Sequence, residues 1–357
     1  MKRNQGVECI RGLAIIMMLF YHYTKLIGNN LMGNGVEPII NEGICQMALI
    51  LFFVISGYGT YKYISTSQNK CLNGNNYIKK RLKKLIPFYY TSILIIVLTT
   101  RTNMLGKKGI IAIIVNCLFL QNIFEDYNCI NGVTWTIALM VQFYMFAFPL
   151  YKCIKWNKYI TYMITLLACT TITRILCGYV ELNNLPIIYA VYIHMRQIFT
   201  TLDAFVIGML VASIPSIKNR IRRQSRIILI LVALIGSQIA FVLLVFWAGG
   251  EYGSGIKYLA WKPVLCLFAA GIIYLADGLS IERNKGFCMF KKIIQFVAKY
   301  ELGIYIWHVI LINNVTGKSD FFEYIKAKNP WLLLLIMISL IIPLGAGYVR
   351  LVEHKRE

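Results

Sequence analysis

Apolar residues in this chain fall in long runs, and the polar stretches between them are short and rich in Lys and Arg. Judged by length and flanks, runs able to cross or nearly cross a bilayer lie at 9–28, 43–61, 85–100, 109–124, 133–151, 159–177, 197–214, 227–248, 259–277, 293–313 and 331–349. The pattern predicts an all-α fold, a polytopic transmembrane helix bundle. There is no internal repeat and no low-complexity segment.

The basic residues set the expected orientation. They gather at Lys2 and Arg3, at Lys79, Lys80, Arg81, Lys83 and Lys84, from Lys218 to Arg226, from Arg283 to Lys292, and from Arg350 to Arg356. Short loops rich in Lys and Arg stay in the cytoplasm, so both termini are expected inside. The loop between the first two runs, GNNLMGNGVEPIINEG, has no Lys or Arg and is expected outside. Both ends inside requires an even number of crossings, so the eleven runs give about ten, with one segment that fails to span. The reading adopted makes 85–100 re-entrant or tilted, because it is 16 residues long and carries Pro87 near its start. Segment 109–124 is the alternative.

Composition agrees with a membrane protein. Hydrophobic residues make up 58% and charged residues 15%, against roughly 45–50% and 25% in soluble domains. Mean hydropathy is +0.62. The net charge of +22 would suggest nucleic acid in a soluble chain, but here the cations mark loops, and no nucleic-acid partner is expected. The first apolar run is too long for a cleavable signal peptide. The expectation is one integral-membrane domain over 1–357, without an appended soluble domain, in the cytoplasmic (plasma) membrane. The ten cysteines are scattered without a CxxC pair and read as small core residues, not metal ligands.

Several polar residues stand inside the apolar runs. Arg11 and His22 are eleven residues apart, about three turns, so they share a face of the first helix roughly 16 Å apart along its axis. Such groups usually face a protein interior or a watery cavity; each alone could also be a headgroup anchor or a hydrogen-bonded core residue. Ser56, Gly57 and Gly59 sit mid-segment, where a backbone or a ligand can approach closely. Arg81, Lys83 and Lys84 anchor the inner face and are candidates to dock a polyanion such as a nucleotide phosphate group. Trp135 and Gln142 share a face, and the glutamine needs a partner across helices. Arg196 and Asp203 are also seven apart, and Asp203 is costly unless paired or hydrated. Glu301, Tyr305 and His308 form a polar stripe that either locks the bundle or lines a cavity. His194, near a membrane edge, and His354, in the tail, do not look catalytic.

Taken in order, IRGLAIIMMLFYH, FFVISGY, KRLKKLIPFYY, TWTIALMVQFY, LDAFVIGMLVA, GIYIWHV and YVRLVEH resemble successive elements of the integral-membrane acyltransferase-3 family, which O-acylates sugars of cell-surface polysaccharides and related molecules. The sequence departs from the family pattern at Met140, Lys84 and Thr201, where the family commonly has a glutamate and two arginines, and Pro does not follow Glu353 at the usual spacing. The resemblance implies a membrane O-acyltransferase, in the simplest case an O-acetyltransferase. It would move an acyl group from cytosolic acyl-CoA (acetyl-CoA), as donor substrate and not bound cofactor, to a hydroxyl of a cell-surface glycan or lipid-linked sugar. His22 matches the family's histidine, and histidine suits the base that such chemistry needs near neutral pH. His22 and Arg11 are thus the catalytic candidates, with Ser56, Arg81, Lys83, Lys84, Trp135, Gln142, Asp203 and His308 as substrate- or donor-binding candidates. The competing reading is a polysaccharide or lipid exporter whose intramembrane charges couple ions.

Overall fold

The computed structural model describes residues 4–26, 37–67, 74–99, 106–127, 130–183, 196–217, 220–248, 260–279, 285–316 and 320–354. Lys2, Arg3, Arg101, Lys218, Arg283, His194 and most of the loop expected outside lie beyond these residues. Among the described residues, the elements are α-helices apart from one 3-10 turn. They are α1 (Gln5–Leu26), α2 (Glu37–Ser67), α3 (Gly74–Thr99), α4 (Lys107–Cys117), α5 (Trp135–Leu182), α6 (Ile198–Ser213), α7 (Arg223–Trp247), α8 (Trp261–Ala276), α9 (Lys285–Lys299), α10 (Glu301–Thr316), α11 (Asp320–Lys328) and α12 (Pro330–His354). Six of them are long and apolar enough to cross a membrane: α1, α2, α3, α5, α7 and α12. The chain is a multi-pass membrane protein.

Helix α5 is two helices in sequence. Asn157 leaves helical geometry (φ −152°, ψ 103°), and its Oδ1 accepts the backbone N–H of Tyr159 at 3.2 Å and of Ile160 at 3.1 Å. That is an N-cap for the second half, and it separates the runs expected at 133–151 and 159–177.

Segment 85–100 shows no break of its own and belongs to a helix long and apolar enough to cross a membrane. This segment is the end of α3, a continuous helix of 26 residues. Lys79 to Lys84 occupy the early turns of the same helix, and Pro87 does not break it; the Thr91 hydroxyl donates to the Pro87 carbonyl at 2.6 Å. Segment 109–124 supplies only the 11 residues of α4, about 16 Å against a hydrocarbon core of about 30 Å. Helix α4 is capped at Leu118, and the next residue, Phe119, takes a left-handed conformation (φ 57°). Its ring stacks on Tyr89, with centroids 4.8 Å apart.

Helix α2 lies at the centre, packed on α1, α6, α7 and α8. It meets α6 backbone to backbone: a Cβ on Gly57 would overlap the Phe205 carbonyl, and one on Gly208 would overlap that of Val54. Along α7, Ile228, Leu231, Ile235, Ile239 and Leu243 point outward, an exposure that fits lipid better than water.

Candidate functional site

A cavity of about 260 Å³ opens between α1, α2, α3, α5 and α10. The helix directions give it two ends. Going one way, α1 contributes Arg11 then Ile15, α2 runs back from Gly59 through Ser56 to Phe52 and Leu49, and α3 offers Arg81 then Leu85. Helix α5 runs back from Tyr144 through Met140 to Ile137 and Thr136, and α10 goes from Glu301 to Tyr305. Ten residues of α2 correspond to a length of about 15 Å. Arg11, Arg81 and Glu301 crowd one end; Leu49, Phe52, Thr136, Ile137 and Tyr305 line the other.

At the charged end, Arg11 is gripped from two helices. Its Nη1 lies 3.2 Å from Glu8 Oε1 and its Nε 3.4 Å from Glu301 Oε2. Arg81 reaches the cavity by a different means, with its guanidinium carbon 5.7, 5.4 and 5.5 Å from the ring centroids of Tyr63, Tyr77 and Tyr144. Aromatic faces hold a guanidinium in place without neutralising it. Tyr144 also takes a 3.4 Å hydrogen bond from the Ser56 hydroxyl. Lys83 and Lys84 are exposed and do not line the cavity. Among the described residues, then, the expected basic cluster contributes Arg81 to the cavity wall and leaves its lysines at the surface. Gly59 lies on the wall with open space where a side chain would be.

Tyr305 lies at the apolar end. Its hydroxyl accepts from Thr136 at 2.7 Å and donates to the Val133 carbonyl at 2.9 Å, and its ring meets Phe52 edge to face at 6.2 Å. Its other neighbour is His308, 5.4 Å away by ring centroids, and His308 lies 4.9 Å from His22. Neither histidine lines the cavity; the pair sits one ring behind it. His308 is fully buried. Its Nδ1 lies 2.6 Å from the Tyr305 carbonyl, which can only accept, so that nitrogen carries the proton. In the neutral ring Nε2 is then a bare acceptor, and it has no hydrogen-bond partner.

The polar stripe of α10 thus faces the Arg11–His22 face of α1, with the two helices parallel: Glu301 meets Arg11 and His308 meets His22. The sequence showed both stripes but not that they face each other. Glu8, one turn before Arg11, and Tyr144 were missed. Glu8 had a legible signal in its i, i+3 spacing to Arg11; Tyr144 had none.

Three further expected site residues, beyond Lys83, Lys84 and the two histidines, do not line the cavity. Gln142 exchanges hydrogen bonds with Asn122 at 3.0 and 2.8 Å and donates to the Phe119 carbonyl at 3.1 Å, pinning the turn that ends α4. Trp135 lies under the Arg196 guanidinium at 5.2 Å. Asp203 pairs with Lys262 of α8 at 3.3 Å, both side chains buried, and not with Arg196. Arg196 precedes the extended N-cap Gln197 (φ −97°, ψ 142°), so the helical count from 196 to 203 does not apply.

A family model described as an acyltransferase domain, that of the acyltransferase-3 family, matches residues 4–349. The chain belongs to that family. It is therefore an acyltransferase that transfers groups other than aminoacyl groups, and the exporter reading gives way. No match was found among curated proteins or among solved structures.

Proposed function

We propose that this membrane acyltransferase takes its acyl group from cytosolic acyl-CoA and delivers it to a hydroxyl of a cell-surface glycan or lipid-linked sugar on the other side of the plasma membrane. The observation that carries the reading is the graded path from the Arg11–Arg81 end of the cavity, through Tyr305, to the His308–His22 pair. Anionic phosphates suit the exposed lysines of α3 and the two arginines. A thin pantetheine arm suits a cavity about 15 Å deep.

In the transfer, the thioester C–S bond breaks as an ester C–O bond forms. The hydroxyl proton passes to a ring nitrogen of His22 and then to the departing sulfur, giving free CoA thiol. Alternatively the same nitrogen takes the acyl group first and passes it to the hydroxyl; trapping an acyl-histidine in a single turnover separates the two routes. Tyr305 swings aside to admit the acyl carbon. The topology that accompanies this reading has both termini in the cytoplasm, ten crossings and α4 as the segment that does not span, within a single domain.

The test is transfer of radiolabel from [14C]acetyl-CoA to glycan in isolated membranes. Label should move with the wild-type protein and not with His22→Ala at matched abundance. Equal labelling by both proteins, or none by the wild type, would overturn the assignment.

A further inference from the structure

Helix α9 lies across the end of the bundle that holds Arg11. Ile294 of α9 meets Gly12 so closely that a Cβ there would overlap the Ile294 carbonyl, and Glu301, seven residues on, pairs with Arg11. Helical hydrogen bonds continue through Tyr300, so those seven residues cover about 10 Å. The contact point on α1 has not advanced, and α9 therefore crosses α1 instead of following it. Ile294, Val297 and Ala298 are buried on its inner side, while Lys292, Ile293, Phe296 and Lys299 are exposed. A helix that shows lysines and apolar side chains together on its outer side, and has no acidic residue, is suited to the membrane interface.

Two cations converge where α9 ends. Lys299 Nζ lies 5.1 Å and the Arg350 guanidinium carbon 5.3 Å from the centroid of the Tyr300 ring, and Arg350 Nε donates to the Tyr300 hydroxyl at 3.1 Å. Among the described residues neither cation pairs with a carboxylate; Glu353, one turn beyond Arg350, is exposed and bridges to neither. Beside Arg350, Leu351, Gly347, Leu344 and Leu340 follow one another at helical spacing along α12. The three leucines are exposed, and Gly347 leaves open space between them.

We propose that Lys299 and Arg350 hold the phosphate of an anionic glycerophospholipid whose acyl chains lie along the leucine stripe of α12. Two neighbouring cations suit a phosphate by charge-assisted hydrogen bonding, and basic pockets between membrane helices recognise anionic headgroups. Lys292, two turns earlier on the same face of α9, adds charge. A soluble anion has no use for the exposed Phe296 and leucines, and a zwitterionic headgroup would set its own cation against Lys299. The bound lipid ties down Tyr300, the residue before Glu301, and with it the carboxylate that grips Arg11.

The experiment titrates the purified full chain with phosphatidylglycerol or phosphatidylcholine of the same chains and reads retained lipid by native mass spectrometry. The wild type should prefer phosphatidylglycerol at least tenfold, and the lipid should raise its thermal midpoint. Replacing both cations, Lys299→Gln with Arg350→Gln, should lower the preference about tenfold or more, and each single change about fivefold. Lys328→Gln removes a lysine that also stands over a tyrosine ring, 4.8 Å from Tyr324, but at the other end of α12; it should change nothing. Equal retention of the two lipids by the wild type overturns the inference, as does a preference unmoved in the variants. Displacement of the lipid by millimolar inorganic phosphate would mark a soluble-anion site and overturn it too. If the double variant fails to insert, the single variants decide. No thioester enters the measurement, so its failure leaves the proposed transfer untouched.

Discussion

The imidazoles of His22 and His308, from opposite ends of the sequence, lie 4.9 Å apart with their planes at 59°. The Nδ1 of His308 is committed to the Tyr305 carbonyl, so in the neutral ring its other nitrogen is an acceptor with no hydrogen-bond partner. His22→Ala is expected to lower acyl transfer by a factor on the order of 10²–10⁴, the usual contribution of a general base, while leaving membrane insertion intact. His308→Ala should reduce turnover less, by about tenfold, and should also lower thermal stability in detergent, since it empties a fully buried site. Both are read as transfer rates in membranes with matched protein. Undiminished turnover in the His22 variant sinks the mechanism.

Arg81, and not the neighbouring lysines, should govern donor affinity. It alone of the cluster lines the cavity, within a tyrosine cage, whereas Lys83 and Lys84 are exposed and their charges are screened by salt. Arg81→Ala should raise KM for acetyl-CoA about tenfold or more. Arg81→Lys should recover little, because a lysine loses the planar stacking. Neutralising Lys83 and Lys84 together should have a smaller effect that fades at high salt. Titrations against CoA and dephospho-CoA at two ionic strengths check the ranking; equal losses from Arg81 and the lysine pair would refute it.

Asp203 and Lys262 should behave as a structural pair. Both are buried, 3.3 Å apart, outside the cavity. Asp203→Ala leaves an uncompensated ammonium and should cost about 3–5 kcal/mol, whereas replacing both by Leu and Met should recover most of it. Thermal unfolding in detergent gives the comparison. A double variant as unstable as the single one would contradict the pairing, and activity lost in a double variant that stays folded would return Asp203 to the site.

The crossing pattern can be checked at α4. Cysteines placed at Gly106 and Phe124, both exposed, should be labelled by an impermeant maleimide from the same side, because 11 helical residues cannot carry the chain across. Labelling from opposite sides would make α4 a span.

The helix class was legible because burying backbone in lipid leaves few alternatives to long apolar helices. Arg11 with His22, and Glu301 with Tyr305 and His308, were legible as stripes because a helix repeats every 3.6 residues. Their facing was not, since it depends on helices from the two ends of the chain packing side by side. The differences between expectation and structure have local causes. Basic residues before Pro87 looked like a boundary, but a helix can carry its headgroup-level turns and its apolar turns without a break. The spacing of Arg196 to Asp203 assumed a helix that begins only at Ile198. Gln142 read as a ligand because its partners, Asn122 and the Phe119 carbonyl, belong to a non-helical turn that has no periodicity.

The reciprocal fit of Gly57 under Phe205 and Gly208 under Val54 has a mechanical consequence. With no side chain between them, α2 and α6 cannot slide or rotate past each other without backbone collision, so they act as a single rigid spine. One cavity wall, the one bearing Ser56 and Phe52, is therefore a fixed reference. In the proposed transfer, the movement that lets an acyl group pass Tyr305 would come from α10 and its side chains, against a spine that stays still.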